Sequence, residues 1–312
     1  MAKFLVTGGA GFIGSNITDK LLNDGHFVRV LDNFSTGKKE NLLNAASHMH
    51  FELMEGDLRD TDVVRKATDG IDFVLHQAAI PSVQKSIEDP ITTNAVNING
   101  TLNVLKASVD NKVKRVVYAA SSSAYGNTCV LPKKENMIPL PLSPYAVSKL
   151  TGEYYCNVFS QVYDIETVSL RYFNIFGPRQ DPKSMYAAVV PRFITAILKG
   201  DRPIVYGNGE QSRDFTHIDN VVQANINACS SPGVSGKVFN VACGNRYTLN
   251  ELLSYIEGIT GKNANPDYEE ERKGDVKHSQ GDIAEAIKYL GYKVIVDFKD
   301  GLKKTIEYFS TI

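Results

Sequence analysis

The sequence lacks any charge imbalance. Its 312 residues include 34 Lys and Arg against 35 Asp and Glu, for a formal net charge of −1, and the basic residues are scattered. Because nucleic-acid binders neutralise a phosphate backbone with clustered positive charge, this composition argues against that class. No apolar run approaches the length of a membrane span, and Phe4-Leu5-Val6 is too short for a signal-peptide core. We therefore expect no nucleic-acid partner and no membrane partner.

Cysteine is sparse as well. Cys129, Cys156, Cys229 and Cys243 are the four cysteines, and no two of them form a Cys-x-x-Cys pair. This spacing predicts no metal site and no disulfide framework, and isolated thiols are typical of a cytoplasmic protein. Repeats, low-complexity tracts and Pro/Ser-rich linkers are also lacking, so no domain boundary is visible. With 43% hydrophobic residues, the chain can bury a large core as one domain or two closely joined ones.

Apolar runs of strand length alternate with helix-period segments through the first half of the chain. Strands that are apolar at nearly every position are typical of a parallel sheet covered by helices on both faces. The strand candidates are Lys3–Thr7, Phe27–Leu31, Phe73–His76, Val113–Ala120 and Thr167–Tyr172. Helices are predicted where Ile13, Ile17 and Leu21 recur and across Ala95–Val109. We predict an α/β fold with a doubly wound parallel sheet.

The second half of the chain is richer in Pro, Gly and Asn. Shorter strand candidates mix there with helix candidates, at Ile204–Tyr206, Val238–Val241, Leu249–Ile259 and Ile283–Tyr289. We interpret this part as a smaller α+β region that closes over the carboxyl edge of the sheet. We expect the sheet domain to comprise 1–172 with return segments at about 213–242, and the smaller, interleaved region to comprise 173–212 and 243–312.

A glycine-rich turn follows the first predicted strand, Gly8-Gly9-Ala10-Gly11-Phe12-Ile13-Gly14. Its glycines allow a tight turn and let backbone N–H groups approach a pyrophosphate, and the helix behind them adds its positive dipole end. The second strand ends in Asp32, whose carboxylate can bind the adenosine ribose hydroxyls and repels a 2′-phosphate. These features predict a Rossmann-like domain that binds NAD in preference to NADP. Asp57 follows a further strand that we expect between Phe27–Leu31 and Phe73–His76, and it is placed either to reach the adenine or to cap a helix.

A helix is predicted to begin at Ser143-Pro144, a good N-cap followed by a good first helical residue. It carries Tyr145 and Lys149 four residues apart, on one helix face. A tyrosine with a pKa of ~10 is only about 0.1% ionised at pH 7. The Lys149 ammonium and an oxidised nicotinamide are two cations that can lower this pKa in a dry cleft. Taken alone, the two residues can also be an ordinary pair on a solvated helix face.

A serine run, Ser121-Ser122-Ser123, decides between these two interpretations. It directly follows the predicted strand Val116–Ala120, and ligands bind at the carboxyl ends of strands in such sheets. Ser121 lies 24 residues before Tyr145. With the glycine turn and Asp32, this constellation favours an NAD-linked active site over a surface pair.

These stretches together resemble the extended short-chain dehydrogenase/reductase family, and within it the UDP-sugar 4-epimerases, most closely the group that acts on UDP-N-acetylglucosamine. The resemblance spans nearly the whole chain. Its motifs are the first-turn glycines, Asp32-Asn33-Phe34-Ser35, His76-Gln77-Ala78-Ala79, the serine run, Tyr145-x-x-x-Lys149, Arg171-Tyr172-Phe173-Asn174-Ile175-Phe176-Gly177-Pro178-Arg179 and Arg213-Asp214-Phe215. It implies a homodimer, with the Ala95–Val109 helix and the helix after Tyr145 packed across the interface.

The resemblance also implies roles for the site residues. Tyr145 is the acid/base, Lys149 modulates its pKa and binds ribose, and Ser121 bonds to the sugar oxygen, a role that Ser122 or Ser123 could share. The cofactor-binding residues implied are Gly8, Gly11, Phe12, Ile13, Gly14, Asp32, Asn33, Ser35, Asp57, Leu58, Gln77, Ala78, Ala79, Tyr145, Lys149 and Tyr172. The substrate-binding residues implied are Lys85, Ser121, Ser122, Ser123, Asn174, Ala188, Val189, Tyr206, Arg213, Arg272, Asp275 and Ser279.

The reaction implied is 4-epimerisation of a UDP-hexose through a 4-keto sugar. Family dehydratases and decarboxylases carry acidic residues where this chain has Ser122 and Ser123, so elimination of water lacks its proton donor. Ser279 is expected beside the sugar's 2-substituent, where it leaves room for an acetamido group that a tyrosine would exclude. The alternatives are an exposed loop position for Ser279, a UDP-glucuronate 4-epimerase, a net oxidoreductase, and a non-catalytic NAD or nucleotide-sugar sensor, a class that commonly loses the Tyr or Lys.

Overall fold

The computed structural model describes residues 1–182, 188–271 and 276–311. Its strands are β1 (Lys3–Thr7), β2 (Phe27–Asp32), β3 (Phe51–Glu55), β4 (Phe73–His76), β5 (Arg115–Ser121), β6 (Glu166–Tyr172), β7 (Ile175–Phe176), β8 (Ile204–Tyr206), β9 (Ser212–Arg213), β10 (Thr216–His217), β11 (Lys237–Val241), β12 (Tyr247–Thr248) and β13 (Asp267–Glu269). Its helices are α1 (Phe12–Asn23), α2 (Leu43–Ala46), α3 (Thr61–Thr68), α4 (Val83–Glu88), α5 (Pro90–Asn94), α6 (Gly100–Asp110), α7 (Pro144–Val162), α8 (Val189–Lys199), α9 (Ile218–Ser230), α10 (Leu249–Thr260), α11 (Ala284–Leu290) and α12 (Phe298–Ser310). Short 3₁₀ turns lie at Lys39–Leu42 and Ser122–Tyr125, and a π-turn lies at Ala95–Asn99. None of the helices in these ranges is long and apolar enough to cross a membrane.

The main sheet is parallel throughout, in the order β3-β2-β1-β4-β5-β6-β11. The chain builds outward from β1 to β3, then returns to β4 and builds toward the opposite edge. At such a reversal of direction, here between β1 and β4, the carboxyl ends of the strands open a crevice for ligands. The α/β class and the doubly wound parallel sheet predicted from the sequence are confirmed.

Alternate residues of the central strands enter two hydrophobic cores, one on each face of the sheet. On one face, Val6 of β1 shares a core with Ile17 of α1 and Val221 of α9. On the other face, Leu5 shares a core with Val104 of α6. All five side chains are fully buried. A sheet covered on both faces needs apolar side chains at successive positions, which explains the continuous apolar runs of the sequence.

A third core forms the smaller region. Helices α8, α10 and α12 enclose a cluster of aromatic rings in which Phe298 stacks on Phe215 and Tyr247. Three two-stranded sheets accompany it, β7 with β10, β8 with β13 and β9 with β12. Between these segments the chain returns to the main sheet, where β11 pairs with β6 and α9 packs on α1. Helix α11, which we expected in the smaller region, packs against β11 and α9. The exact division into two domains stays a prediction.

The helix predicted across Ala95–Val109 differs from the structure in its first turn. It begins as the π-turn, and α6 then runs to Asp110. The Asn97 side chain bonds to both backbone groups of Ile80, at 2.8 and 3.2 Å. The Asn97–Ile80 contact joins segments 17 residues apart. The helical periodicity of the sequence therefore cannot predict this contact.

The strand predicted at Val113–Ala120 begins only at Arg115. Lys112 has a φ of 56°, and the N–H of Val113 bonds to the carbonyl of Ser108 at 2.9 Å. Val113 therefore belongs to the turn that ends α6, although its side chain is buried in the core that contains Leu5 and Val104.

Candidate active site

At two positions of the glycine turn between β1 and α1, a side chain would clash with backbone atoms. Gly8 has a φ of 68°, and a Cβ there would lie 2.7 Å from the Cα of Ala78, after β4. A Cβ on Gly14 would lie 2.2 Å from the carbonyl oxygen of Gly8. Both clashes are with backbone atoms. These glycines therefore hold the first turn of α1 against the ends of β1 and β4.

The start of α1 can bind an anion. Gly11 is the N-cap and makes no side-chain bond to the helix. The N–H groups of the first turn, at Phe12, Ile13 and Gly14, have no acceptor within the helix, and the helix dipole adds partial positive charge. A Cβ on Gly11 would meet only the Gly8 carbonyl oxygen, at 3.2 Å. Packing alone does not demand glycine at this position, whereas a pyrophosphate that approaches the backbone does.

Asp32 ends β2 beside this turn and is buried. Its Oδ2 accepts the N–H of Ala10 at 2.9 Å, and its Oδ1 accepts the N–H of Phe34 at 2.8 Å. Burial raises the pKa of this carboxyl, although the backbone bonds act in the opposite direction. A carboxylate has about four acceptor sites, so both oxygens can still accept from a ribose hydroxyl. The position therefore fits the adenosine ribose of NAD.

Four of the expected cofactor ligands follow the ends of β2 and β3, namely Asn33, Ser35, Asp57 and Leu58. Asp57 accepts two bonds from the guanidinium of Arg59, at 2.9 and 2.8 Å, and one from Nδ2 of Asn33 at 2.9 Å. The Arg59 bonds hold the pKa of Asp57 well below its usual range. Helix α3 is capped by Asp60, so the interpretation of Asp57 as a helix N-cap is wrong.

Three expected cofactor ligands, Gln77, Ala78 and Ala79, follow β4, and a fourth, Tyr172, ends β6. The Tyr172 hydroxyl lies 3.1 Å from Oε1 of Gln77 and 3.0 Å from Oδ1 of Asn225. Gln77 in turn donates to the same Asn225 oxygen at 3.0 Å. Burial raises the pKa of Tyr172. Asn225 was not predicted from the sequence. The only feature that could have indicated it is an amide side chain on the buried face of α9.

The helix that carries Tyr145 and Lys149 begins at Pro144, as predicted. Lys149 is only 4% exposed. Its Nζ donates to the carbonyl of Ala119 at 2.9 Å and lies 5.2 Å from the centre of the Tyr118 ring. Burial lowers the pKa of Lys149 to about 8. The alternative of a solvated surface pair is therefore wrong.

Ser121 ends β5 and contacts Tyr145. Burial raises the pKa of Tyr145, and the Ser121 hydroxyl lowers it by a smaller amount. Ser121 Oγ also accepts from the N–H and the hydroxyl of Ser123, at 3.2 and 2.9 Å. Ser122 begins the 3₁₀ turn between them. Burial and the Ser121 hydroxyl are the two causes that set the pKa of Tyr145, so the expected lowering of this pKa by Lys149 is not found in the protein alone.

A cavity of about 200 Å³ opens in the smaller region. Five of the expected substrate residues line it together: Asn174, Ala188, Val189, Tyr206 and Arg213. An adjoining cavity of about 190 Å³ shares Tyr206 and Arg213. Gln211 lines both cavities and was missed by sequence analysis. Apolar walls with a few convergent polar groups are typical of a small-molecule site.

Ser279 is buried and bonded to this cavity's lining. Its hydroxyl donates to Oδ1 of Asn174 at 3.0 Å. The interpretation of Ser279 as an exposed loop serine is therefore wrong. Lys85 lies on α4 and is exposed. Arg272 and Asp275 lie outside the described residues, and their expected contacts with the diphosphate and the ribose stay predictions.

Asp214, next to Arg213, is fully buried. Its carboxylate accepts backbone N–H groups from Cys243, Gly244 and Gly281, at 2.8, 3.0 and 3.1 Å. Burial raises its pKa to about 7. The Asp214 carboxylate thus connects the segment that follows β9 to the loop that carries Ser279 by hydrogen bonds. Before the structure, Asp214 was known only as part of the Arg213-Asp214-Phe215 motif. A buried acid without an adjacent base gives no sequence signal of such a structural role.

The sequence profile of the NAD-dependent epimerase/dehydratase family matches residues 4–242. That span contains the glycine turn, Asp32, Ser121, Tyr145 and Lys149. The chain belongs to this family. NAD, the cofactor after which the family is named, matches the cradle at α1 and the carboxylate of Asp32.

Similar proteins cover nearly the whole chain. The UDP-glucose 4-epimerase of Mycolicibacterium smegmatis is 37% identical over 98% of both chains. The structure of a UDP-N-acetylglucosamine 4-epimerase from Methanobrevibacter ruminantium, in complex with UDP-N-acetylmuramic acid, is 41% identical, with a TM-score of 0.95 over 99% of this chain and 98% of its own. A UDP-glucuronic acid 4-epimerase from Bacillus cereus, in complex with UDP-glucuronic acid and NAD, is 33% identical, with a TM-score of 0.92 over 99% of both chains. The resemblance to extended short-chain dehydrogenases/reductases and their UDP-sugar 4-epimerases is confirmed.

Proposed function

We propose that this protein is an NAD-dependent isomerase that inverts carbon 4 of a UDP-hexose through a transient 4-keto sugar. The observation that carries the proposal is the placement of Tyr145 beside Ser121 at the carboxyl end of β5, close enough for the serine hydroxyl to lower the pKa of the phenol. In the sheet, β5 lies between β1, which leads into the glycine turn, and β6, which leads to Asn174. The reacting pair therefore has the dinucleotide cradle on one side and the nucleotide-sugar cavity on the other.

The chain's own residues perform the proton transfer and the binding. Tyr145 takes the proton of the 4-hydroxyl at its phenolic oxygen and gives it back after the sugar has turned over. Ser121 hydrogen-bonds to the same sugar oxygen, and Lys149 binds the nicotinamide ribose. Bound NAD supplies the hydride acceptor for carbon 4 and returns the hydride to the opposite face. Because the cofactor ends each cycle oxidised, no net NADH forms.

Anchoring of the nucleotide is what allows the sugar to turn over without leaving. We propose that Asn174 and Arg213, which line one cavity, hold the diphosphate. A guanidinium suits this role because its planar fork can meet two phosphate oxygens at once. With the nucleotide fixed, both sugar poses can bring carbon 4 to the same position, which is the main requirement for a fast reaction.

Ser122 and Ser123 favour simple epimerisation over related reactions. Elimination of water or carbon dioxide from the 4-keto sugar requires a proton donor near carbon 5 or carbon 6. Dehydratases and decarboxylases of the family carry acids at the positions of these two serines. Their hydroxyls are far weaker acids, so the 4-keto sugar is returned to a hexose.

We propose UDP-N-acetylglucosamine and UDP-N-acetylgalactosamine as the main substrate pair, with UDP-glucose and UDP-galactose as additional substrates. This choice is supported by the small side chain of Ser279, which is bonded to Asn174 and leaves room for an acetamido group. The 41% identical UDP-N-acetylglucosamine 4-epimerase supports the same choice. A UDP-glucuronate 4-epimerase is the second candidate, favoured by the 33% identical enzyme of that name.

We propose that the protein is a homodimer. Helix α7 exposes four apolar side chains along one stripe, at Val147, Tyr154, Val158 and Val162. A second copy that packs its own α7 on this stripe would bury it symmetrically. Light scattering should give twice the mass of one chain, and Val158→Asp should give the mass of a single chain. A monomeric unsubstituted protein would contradict this proposal.

The cytoplasmic location likewise stays a prediction.

Incubation with UDP-N-acetylglucosamine, UDP-glucose and UDP-glucuronate, each alone, tests the proposed reaction. NMR should show the carbon 4 epimer of UDP-N-acetylglucosamine while NADH does not accumulate. Turnover of UDP-glucuronate alone would favour the second candidate. NADH that matches the loss of substrate would identify a net oxidoreductase. Bound NAD without conversion of any substrate would indicate a sensor.

A further inference from the structure

Ser86 is a fully buried residue of the short helix α4, and it contacts the backbone of the proposed catalytic residue. Its Oγ accepts the N–H of Tyr145 at 3.0 Å. Its own proton is donated to the carbonyl of Val83 at 2.6 Å. Because a hydroxyl has a single proton, the Ser86 oxygen faces Tyr145 as an acceptor. The two bonds together fix the orientation of this hydroxyl.

The N–H of Tyr145 needs such a partner because it lies in the first turn of α7. First-turn N–H groups have no acceptor within their own helix. Ser143, the N-cap, accepts the N–H of Ala146 at 3.1 Å and leaves that of Tyr145 to another group. Ser86 is that group, and it comes from a different helix. The start of α7 is therefore held from two sides.

The carbonyl of Tyr145 is held as well. The Ser148 hydroxyl donates to it at 2.8 Å, and Nδ2 of Asn97, in the π-turn, donates to Ser148 at 3.0 Å. Helix α4, which carries Ser86, is itself capped by Ser82, whose Oγ accepts the N–H of Lys85 at 3.1 Å. The Ser86 bond to Tyr145 and the Asn97 bond to Ser148 thus both come from the segment that connects β4 to α6.

We propose that Ser86 is a positioning residue, which holds the Tyr145 backbone so that the phenol stays on Ser121. Ser86 directly follows Lys85, an expected substrate ligand, so the same short helix sets Tyr145 relative to a substrate contact. The proposal rests on the acid/base role of Tyr145 in the proposed function. A displacement of about 1 Å at a reacting group can cost about 100-fold in rate, so a backbone bond at this residue matters for turnover.

The test compares Ser86→Ala with a matched control, Ser143→Ala. Each variant removes one hydroxyl that accepts a first-turn N–H of α7, so each should lose a similar amount of thermal stability. Only Ser86→Ala removes the acceptor of Tyr145. We expect its kcat for epimerisation to fall at least about 10-fold with KM changed less than about 3-fold, whereas the control keeps kcat within about 3-fold.

Amide hydrogen exchange of the NAD-bound protein provides a second measurement that requires no substrate. Ser86→Ala should speed exchange at the Tyr145 amide at least about 10-fold, whereas Ser143→Ala should speed it at Ala146 and leave Tyr145 protected. An unchanged Tyr145 amide in Ser86→Ala would overturn the proposal, and so would equal loss of kcat in Ser86→Ala and Ser143→Ala. Because exchange needs no sugar nucleotide, a failure of the epimerisation assay in the unsubstituted protein would count against the proposed function alone.

Discussion

Alanine at Gly14 and at Gly11 should separate two roles of the glycine turn. A methyl group on Gly14 would lie 2.2 Å from the Gly8 carbonyl oxygen and 2.8 Å from the Cα of Gly9. Relief requires α1 to move away from β1 by about 1 Å, because no flexible side chain can move instead. Overpacking of a filled interior costs about 1–3 kcal/mol and more where only backbone can yield. We expect Gly14→Ala to lower the free energy of unfolding by about 3 kcal/mol or more.

Gly11→Ala should instead leave the fold intact and weaken NAD binding. The new methyl group would meet only the Gly8 carbonyl oxygen, at 3.2 Å. Alanine is a poorer N-cap than glycine, so the loss of stability should be about 1 kcal/mol. The methyl group would, however, project into the space where a pyrophosphate must approach the first turn of α1. The purified variant should therefore contain much less bound dinucleotide than the unsubstituted protein.

Urea unfolding measures the stability of each variant, and acid extraction measures the NAD that it retains. Gly258→Ala is the matched control, because Gly258 lies within α10 and a Cβ there meets nothing within 4 Å. That variant should gain about 0.5–1 kcal/mol and keep its NAD. The reasoning is refuted if Gly14→Ala is as stable as the unsubstituted protein, or if Gly11→Ala keeps full NAD occupancy.

Three further substitutions test the catalytic base, the sugar pocket and the core. Tyr145→Phe should fold normally and lose several orders of magnitude in epimerisation rate; a variant that keeps most of its rate would show that Tyr145 is not the base. Ser279→Tyr should abolish turnover of N-acetyl sugars selectively, because filling a packed pocket costs about 1–3 kcal/mol or more; equal loss on UDP-glucose, or no loss, would show that this residue does not select the sugar. Glu153→Gln leaves Arg171 buried without its counter-charge, where the pair is 2.7 Å apart and both residues are at most 3% exposed. It should cost about 3–5 kcal/mol in urea unfolding, while Glu166→Gln, whose acid is half exposed, should cost about 1 kcal/mol or less. Equal losses in these two variants would contradict that estimate.

The elements that could be predicted from sequence are those whose signals are local. The glycine turn, the apolar strands around it and the helix start at Pro144 each depend on residues within a few positions of one another. The two-residue strands β7, β9, β10 and β12 were not predicted, because two residues have no periodicity. The π-turn was missed for a different reason. It contains Asn97, whose side chain contacts Ile80, and only the folded chain creates this contact.

At the site, residue positions were predictable and side-chain partners were not. A strand-end residue such as Asp32 or Ser121 must lie at the carboxyl edge of the sheet, so its place follows from the fold. Asp57 is hydrogen-bonded to Arg59, and Gln77 is hydrogen-bonded to Asn225. Such pairings depend on which polar groups the folded chain places next to each other. Ser86 shows the same limit. It was not among the residues expected at the site, and its bond to Tyr145 spans 59 residues.

The charge states at the centre follow from burial, and they constrain how the base works. Burial raises the pKa of Tyr145 and lowers that of Lys149 to about 8, so in both cases the dry environment favours the neutral form. Even from an ordinary value of ~10, bringing a phenol to a pKa of ~7 requires about 4 kcal/mol of preferential stabilisation of its anion. The Ser121 hydroxyl lowers the pKa of Tyr145, but burial outweighs this effect. The additional stabilisation must come from a positive charge placed beside the phenol, and the oxidised nicotinamide ring carries one. In the proposed mechanism, proton removal by Tyr145 would then be coupled to an oxidised, occupied cofactor site, which is the state in which the 4-hydroxyl could be oxidised.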